Sequence, residues 1–187
     1  MPPVRLELNK LEIHRPKGRW KVYFIVVADH PDKKDQMVLS IVPDTPILVV
    51  PSQHNVIFFE PKGNGSEGLL LLSRELPPSR ELNVHFHVMH SRRSDREIGE
   101  VLNVLQDGLG KDASGFFTEM LGSTSPWLAI AKTGLPLVGR ILANIPDRNL
   151  GFVSMFERFG PEFEKEVEID RESRGGHVTV VYTWAVA

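Results

Sequence analysis

Residues 82–105 read LNVHFHVMHSRRSDREIGEVLNVL. The first eight decide the fold. Leu82, Val84, Phe86 and Val88 take one side of a two-residue period, and Asn83, His85, His87 and Met89 take the other. Strict alternation of this kind marks a strand with one buried face. The strand runs into the charged segment His90-Ser91-Arg92-Arg93-Ser94-Asp95-Arg96-Glu97. Beyond it, Ile98, Val101, Leu102 and Leu105 fit helical spacing, while Ile98-Gly99-Glu100-Val101 serves equally well as the start of a strand.

Upstream, the same period recurs. Val4, Leu6 and Leu8 alternate with Arg5 and Glu7, and the pattern resumes at Leu11 and Ile13 after an irregularity at Asn9–Lys10. Trp20, Val22, Phe24, Val26 and Ala28 line one face of a second strand, and Tyr23, Ile25 and Val27 make its other face apolar too. Strands are expected at Met37–Val42, Ile47–Val50 and Val56–Phe59, with a short apolar run at Leu69–Leu72. Pro43, Pro46, Pro51 and Pro61 punctuate them, since proline cannot donate to a ladder.

Downstream, Phe116, Phe117, Met120 and Leu121 suggest a helical face. Ser125-Pro126-Trp127 suggests an N-cap with proline at the first helical position, leading a helix through Leu128, Ala131, Leu135, Val138, Ile141 and Leu142. Strands return at Leu150–Phe156, Phe163–Ile169 and Val178–Val186, with a hairpin signal at Arg174-Gly175-Gly176. The expectation is a single mainly-β domain over 1–187, an antiparallel β-sandwich with a helical insertion at roughly 106–146 before the last strands.

Composition narrows the function. A net charge of −2 gives no global footprint for nucleic acid. The absence of cysteine removes disulfides, thiolate metal sites and cysteine nucleophiles. MPPVRLELNK lacks the apolar run of a signal peptide, and no window of about 18 apolar residues is free of charge. A cytoplasmic protein is expected, with peripheral membrane attachment where docking calls for it. No G-x-S-x-G occurs and the carboxylates form no telling pair, so a non-enzymatic role is expected. Gly63-Asn64-Gly65-Ser66-Glu67-Gly68 matches G-x-G-x-x-G, but no βαβ unit surrounds it, and a hairpin loop is the plainer account.

Three places carry potential chemistry. His90, Arg92, Arg93 and Arg96 form the densest basic cluster, suited to anionic headgroups or an acidic protein surface, with Asp95 and Glu97 interleaved against it. His85 and His87 share a strand face and could chelate a transition metal; a polar sheet face is the alternative. Asp29, Asp32 and Asp35 form an acidic loop that could take calcium or serve solubility alone. One short echo, Asp95-Arg96-Glu97-Ile98-Gly99 against Asp147-Arg148-Asn149-Leu150-Gly151, reads as a turn chemistry used twice.

Leu82–Val88, the charged loop and Arg96–Leu102 together resemble the late strand, third loop and next strand of a C2 domain. Asn55–Phe59 is similar to the strand after that family's second loop, Asp29–Asp35 would be the first loop, and Val178–Val186 the final strand. The resemblance implies an eight-stranded sandwich that docks on membranes or proteins through loops at one end. Its calcium ligands would include Asp29, Asp35 and Asp95, but His90-Ser91-Arg92-Arg93-Ser94 replaces the expected aspartates. The implied protein is a calcium-independent module that binds an anionic membrane or a protein partner. Two alternatives stand beside it: an assembly subunit forming homo-oligomers through Trp127 and the Phe116-Phe117 pair of the insertion, and a metal-binding protein using His85 and His87.

Overall fold

The computed structural model describes residues 3–14, 20–30, 34–49, 56–59, 68–92, 98–110, 113–117, 127–131, 138, 140, 142, 147–164 and 168–186. The strands are β1 (Pro3–Ile13), β2 (Trp20–Asp29), β3 (Gln36–Val49), β4 (Val56–Phe58), β5 (Leu69–Glu75), β6 (Glu81–Ser91), β7 (Ala113–Phe117), β8 (Trp127–Ala131), β9 (Arg148–Arg158), β10 (Glu168–Gly175) and β11 (Val178–Val186). The α-helix α1 (Ile98–Leu109) sits between β6 and β7, and Val138, Arg140 and Leu142 are also helical. Among the described residues the strands form two antiparallel sheets, so the fold is a β-sandwich with a helical insertion before the last strands. The first sheet runs β10-β11-β1-β4, with β5 also paired to β1; the second runs β7-β8-β3-β2-β6-β9.

The alternation read from the sequence is what glues the sheets. Val4, Leu6, Leu8, Leu11 and Ile13 of β1 meet Val22, Phe24 and Val26 of β2 and Leu82, Val84, Phe86 and Val88 of β6 in one buried cluster. The irregularity at Asn9 is a bulge: the β1–β11 register shifts between Leu8 and Lys10, which lets the apolar phase resume at Leu11. At one corner β9 crosses β10 so closely that a Cβ on Gly175 would lie 1.9 Å from the Phe152 carbonyl oxygen. Only glycine allows that approach. The guanidinium of Arg171 on β10 forks onto Glu157 of β9, with Nε–Oε2 at 3.0 Å and Nη2–Oε1 at 3.2 Å, and ties the same two strands.

The second face of β2 explains why that strand is apolar on both sides. Tyr23, Ile25 and Val27, with Met37, Leu39 and Ile41 of β3, form a separate cluster under Val101, Leu105 and Leu109 of α1 and under Val138 and Leu142. The second sheet is therefore sandwiched between the first sheet and a partial helical layer.

Several expectations are corrected. The helical insertion begins at Ile98, not near 106; α1 ends where Gly110 turns to a φ of +54°, the usual glycine exit from a helix, and Val138, Arg140 and Leu142, within the expected block, are helical again. Ala113–Phe117 is a strand rather than a helical face, and Trp127–Ala131 is a strand rather than the start of a capped helix. Both extend the second sheet, because Trp127–Ala131 pairs with Gln36–Ser40 of β3; Met120, Leu121, Ser125 and Pro126 lie outside the described residues. The two strands expected around Pro43 and Pro46 are one: Val22 pairs with Ile47 and Phe24 with Val42, so residues 43–46 oppose Tyr23 alone as a bulge. A bulge removes the demand for ladder donors that would exclude proline. Phe163 belongs to a short 3-10 turn, Pro161–Glu164, and the strand starts at Glu168. The segment Arg96–Leu102, matched to a C2 strand, instead enters α1 from Ile98 onward.

Candidate functional site

Antiparallel pairing decides which loops meet. Val22 of β2 faces His90 of β6, while Ala28 faces Val84. His90 also faces Arg148 at the start of β9, and Ile13 at the end of β1 faces Val178, just past the β10–β11 turn. One end of the sandwich thus gathers the end of β1, the start of β2, the end of β6, the start of β9 and the turn Gly176-His177.

That end is basic. Arg92, Arg148 and Arg174 are exposed. Among the described residues none of the three side chains makes an ion pair. A cavity of about 560 Å³ opens there, lined by His14, Trp20, Arg148, Leu150, Arg174, Gly176 and His177. Those described lining residues include no carboxylate. The first sheet supplies His14 and the β10–β11 turn; the second supplies Trp20, Arg148 and Leu150.

The mouth is braced by its own backbone. The His14 N–H donates to the His177 carbonyl at 2.7 Å, and the His177 N–H donates to the Leu150 carbonyl at 2.9 Å. Gly176 takes a φ of +61°, which suits the first position of a two-residue hairpin loop. Asp147 is buried at 5% exposure. Its Oδ2 accepts from the Tyr23 hydroxyl at 2.8 Å and its Oδ1 from the Arg92 backbone N–H at 3.0 Å. Asp147 therefore pins the exit of β6 and the entry of β9 to β2.

His90 stacks on Trp20 with ring centroids 4.8 Å apart. Burial pulls its pKa below the ordinary value, and the charges of Arg92 and Arg148 pull it further, against the opposing pull of Asp147. At neutral pH it is an uncharged ring supporting Trp20, and the cations of this end are the arginines. Arg93, Arg96 and Asp95 lie outside the described residues. Of the expected basic cluster, the structure brings His90 and Arg92 to this end.

The acidic loop stands elsewhere. Asp29 ends β2 and faces Met37, and Asp35 is exposed in the turn before β3. The ten residues of β2, at about 3.3 Å each, set Asp29 roughly 30 Å from the Trp20 end. The acidic and basic loops, expected side by side, leave the sheet at opposite ends because β2 and β6 run antiparallel. Asp32 is outside the described residues.

His85 and His87 lie on the outer face of β6, opposite in pleat to His90, so the three histidines do not converge. The Phe152 ring lies 5.5 Å from the ring of His85 and 4.7 Å from that of His87. Asn149 Nδ2 is 3.2 Å from His87 Nδ1, and Asn83 Nδ2 is 3.4 Å from His85 Nε2. Burial, then the neighbouring His85, lowers the His87 pKa to about 4; burial lowers that of His85 against the pull of Asp29. Among the described residues no three His, Asp or Glu side chains gather as a metal set. Of the glycine-rich loop only Gly68 is described, and its N–H donates to Glu7 Oε2 at 3.0 Å. The side chains of Phe116, Phe117 and Trp127 lie outside the described residues.

Sequence spacing missed His14, Trp20, Arg148, Arg174 and His177, which are up to 163 positions apart (His14 to His177) and meet only through topology. One signal was present: several strand ends carry a basic residue, and Asp147-Arg148 is half of the short echo noted above.

Fold and site together define an antiparallel β-sandwich with a cationic mouth. No family model matches the sequence, and no curated protein matches it. Among solved structures, Drosophila C2-DSL-EGF1 is similar at a TM-score of 0.40 and 8% identity, covering 100% of this chain and 67% of that one. That likeness assigns neither family nor function. No described helix is long and apolar enough to cross a membrane, which leaves strands unaddressed.

Proposed function

We propose that this protein is a C2-like, non-enzymatic docking module that attaches to anionic membrane surfaces through its basic end, without calcium. One observation carries the reading: Arg92, Arg148 and Arg174 gather at one end of the sandwich with no ion-paired carboxylate among the described residues. Exposed guanidiniums with no ion-paired carboxylate among the described residues attract phosphate-bearing surfaces, at roughly 1 kcal/mol per charge near a membrane. The calcium-free part rests on the remoteness of Asp29 and Asp35 from that end. Co-sedimentation with phosphatidylcholine vesicles, with and without phosphatidylserine, tests it. Binding should require the anionic lipid, persist in chelator and fade as salt rises. Equal recovery in the supernatant with both vesicle types removes the proposal.

A further inference from the structure

The cavity at the basic end has a shape and a chemistry that a flat electrostatic patch does not need. Arg148 and Arg174 line it from different sheets, together with His14 and with His177 of the β10–β11 turn. Trp20 and Leu150, both buried, give it an apolar wall. We propose that this mouth is a pocket for a phosphomonoester dianion, which would make it the element of selectivity within the docking function on which this inference rests.

Oxygen count favours the monoester. Its terminal phosphate offers three acceptor oxygens and a charge near −2. A diester or a carboxylate offers two oxygens and a charge of −1. Two arginines from different sheets in one lining suit the larger donor demand of the monoester, since a guanidinium binds oxygen pairs in a planar, bidentate manner. His14 Nε2 is held at 2.9 Å from Thr179 Oγ1, which fixes the ring and leaves Nδ1 as its remaining polar atom. The apolar wall excludes water on one side and strengthens every charged contact.

Preorganisation is the second argument. The Gly176-His177 turn is tied to both sheets through the His14 N–H to His177 and the His177 N–H to Leu150 bonds. A Cβ on Gly176 would lie 2.9 Å from the Leu150 carbonyl oxygen. The loop that presents Arg174 therefore cannot drift from β9, which presents Arg148. A site held in place before the ligand arrives loses less entropy on binding. At about 560 Å³ the cavity lies within the range of small-molecule sites and admits the ring that bears a phosphate as well as the phosphate.

The test is calorimetric titration of the full chain with inositol 1,4,5-trisphosphate, with inorganic phosphate as competitor. One-to-one binding is expected. Arg148→Gln and Arg174→Gln should each weaken it about tenfold or more, the loss of one charge-assisted contact, while Lys34→Gln, exposed in the turn before β3 at the opposite end, should change it less than about twofold. Thermal melts confirm that these exposed-site variants fold. Competition by inorganic phosphate at similar concentration would assign the site to the free anion; weak competition assigns it to a phosphorylated headgroup. In the vesicle arm, phosphatidylinositol 4-phosphate should retain more protein than phosphatidylserine at matched surface charge, and both arginine variants should erase that preference. Equal retention on the two vesicles, or unchanged titration in the folded variants, overturns the pocket and leaves the docking reading standing. Intact titration without retention on any vesicle overturns docking and leaves the pocket.

Discussion

His87 shows how much one side chain can be asked to do. It lies on the outer face of β6, against Phe152 and beside His85, and its pKa is about 4 against an ordinary 6.5. The unfolded chain therefore binds a proton more readily than the native one between those values. Stability should fall as pH drops from about 6.5 to about 4 and be fully present above 6.5. The gap of about 2.5 units corresponds to at most roughly 3 kcal/mol. Urea midpoints at pH 7.5 and 4.5 measure it. His87→Gln keeps a group facing Asn149 and removes the titration, so its pH dependence should be the flatter; identical slopes in the two proteins would place the acid sensitivity elsewhere. The alternation around this residue was readable from the sequence because the pleat has a fixed period. Its pKa was not, since Phe152 and Asn149 come from β9, which no local pattern aligns with β6.

Among the elements, strands were more legible than the helix. A strand buried on one face announces itself by period two, and β1, β6, β9 and β11 all do so. Short apolar runs carry no such mark. Trp127–Ala131 reads as the start of a capped helix, and pairing with β3 makes it a strand. In the opposite sense, Val101, Leu105 and Leu109 fall at i, i+4 and i+8 and pack on the outer face of the second sheet; the partners of that stripe are the apolar backs of β3 and β8. Leu105 is fully buried there. Leu105→Ala should cost about 2–5 kcal/mol, transfer and cavity together, read as a drop in denaturation midpoint. A loss below 1 kcal/mol would mean that α1 is a loosely held cover.

At the scale of the molecule, the acidic loop and the basic mouth lie at opposite ends. The antiparallel run of β2 and β6 sends Asp29 and Asp35 one way and Arg92 and Arg148 the other. Screening at physiological salt, with a Debye length of about 8 Å, isolates groups roughly 30 Å apart. Asp29→Asn with Asp35→Asn should therefore leave anionic vesicle binding within about twofold of the parent, with or without calcium. Tenfold loss in the chelator-free arm alone would restore a calcium role to the acidic loop. The pocket at the opposite end was illegible in the sequence for the same reason: its residues come from four chain segments that only the completed topology assembles.

Sheet order carries a further consequence, for timing. β1 is the hub of the first sheet, flanked by β4 and β5 on one edge and by β11 on the other. During ribosomal synthesis β1 must wait with an open edge until β11 has emerged, since Val4 pairs with Val186. Pairings of such separation in the chain slow folding and prolong exposure to misassociation. A nascent chain stalled before β11 would present that bare edge to chaperones, whereas the second sheet could close as soon as β9 had been translated.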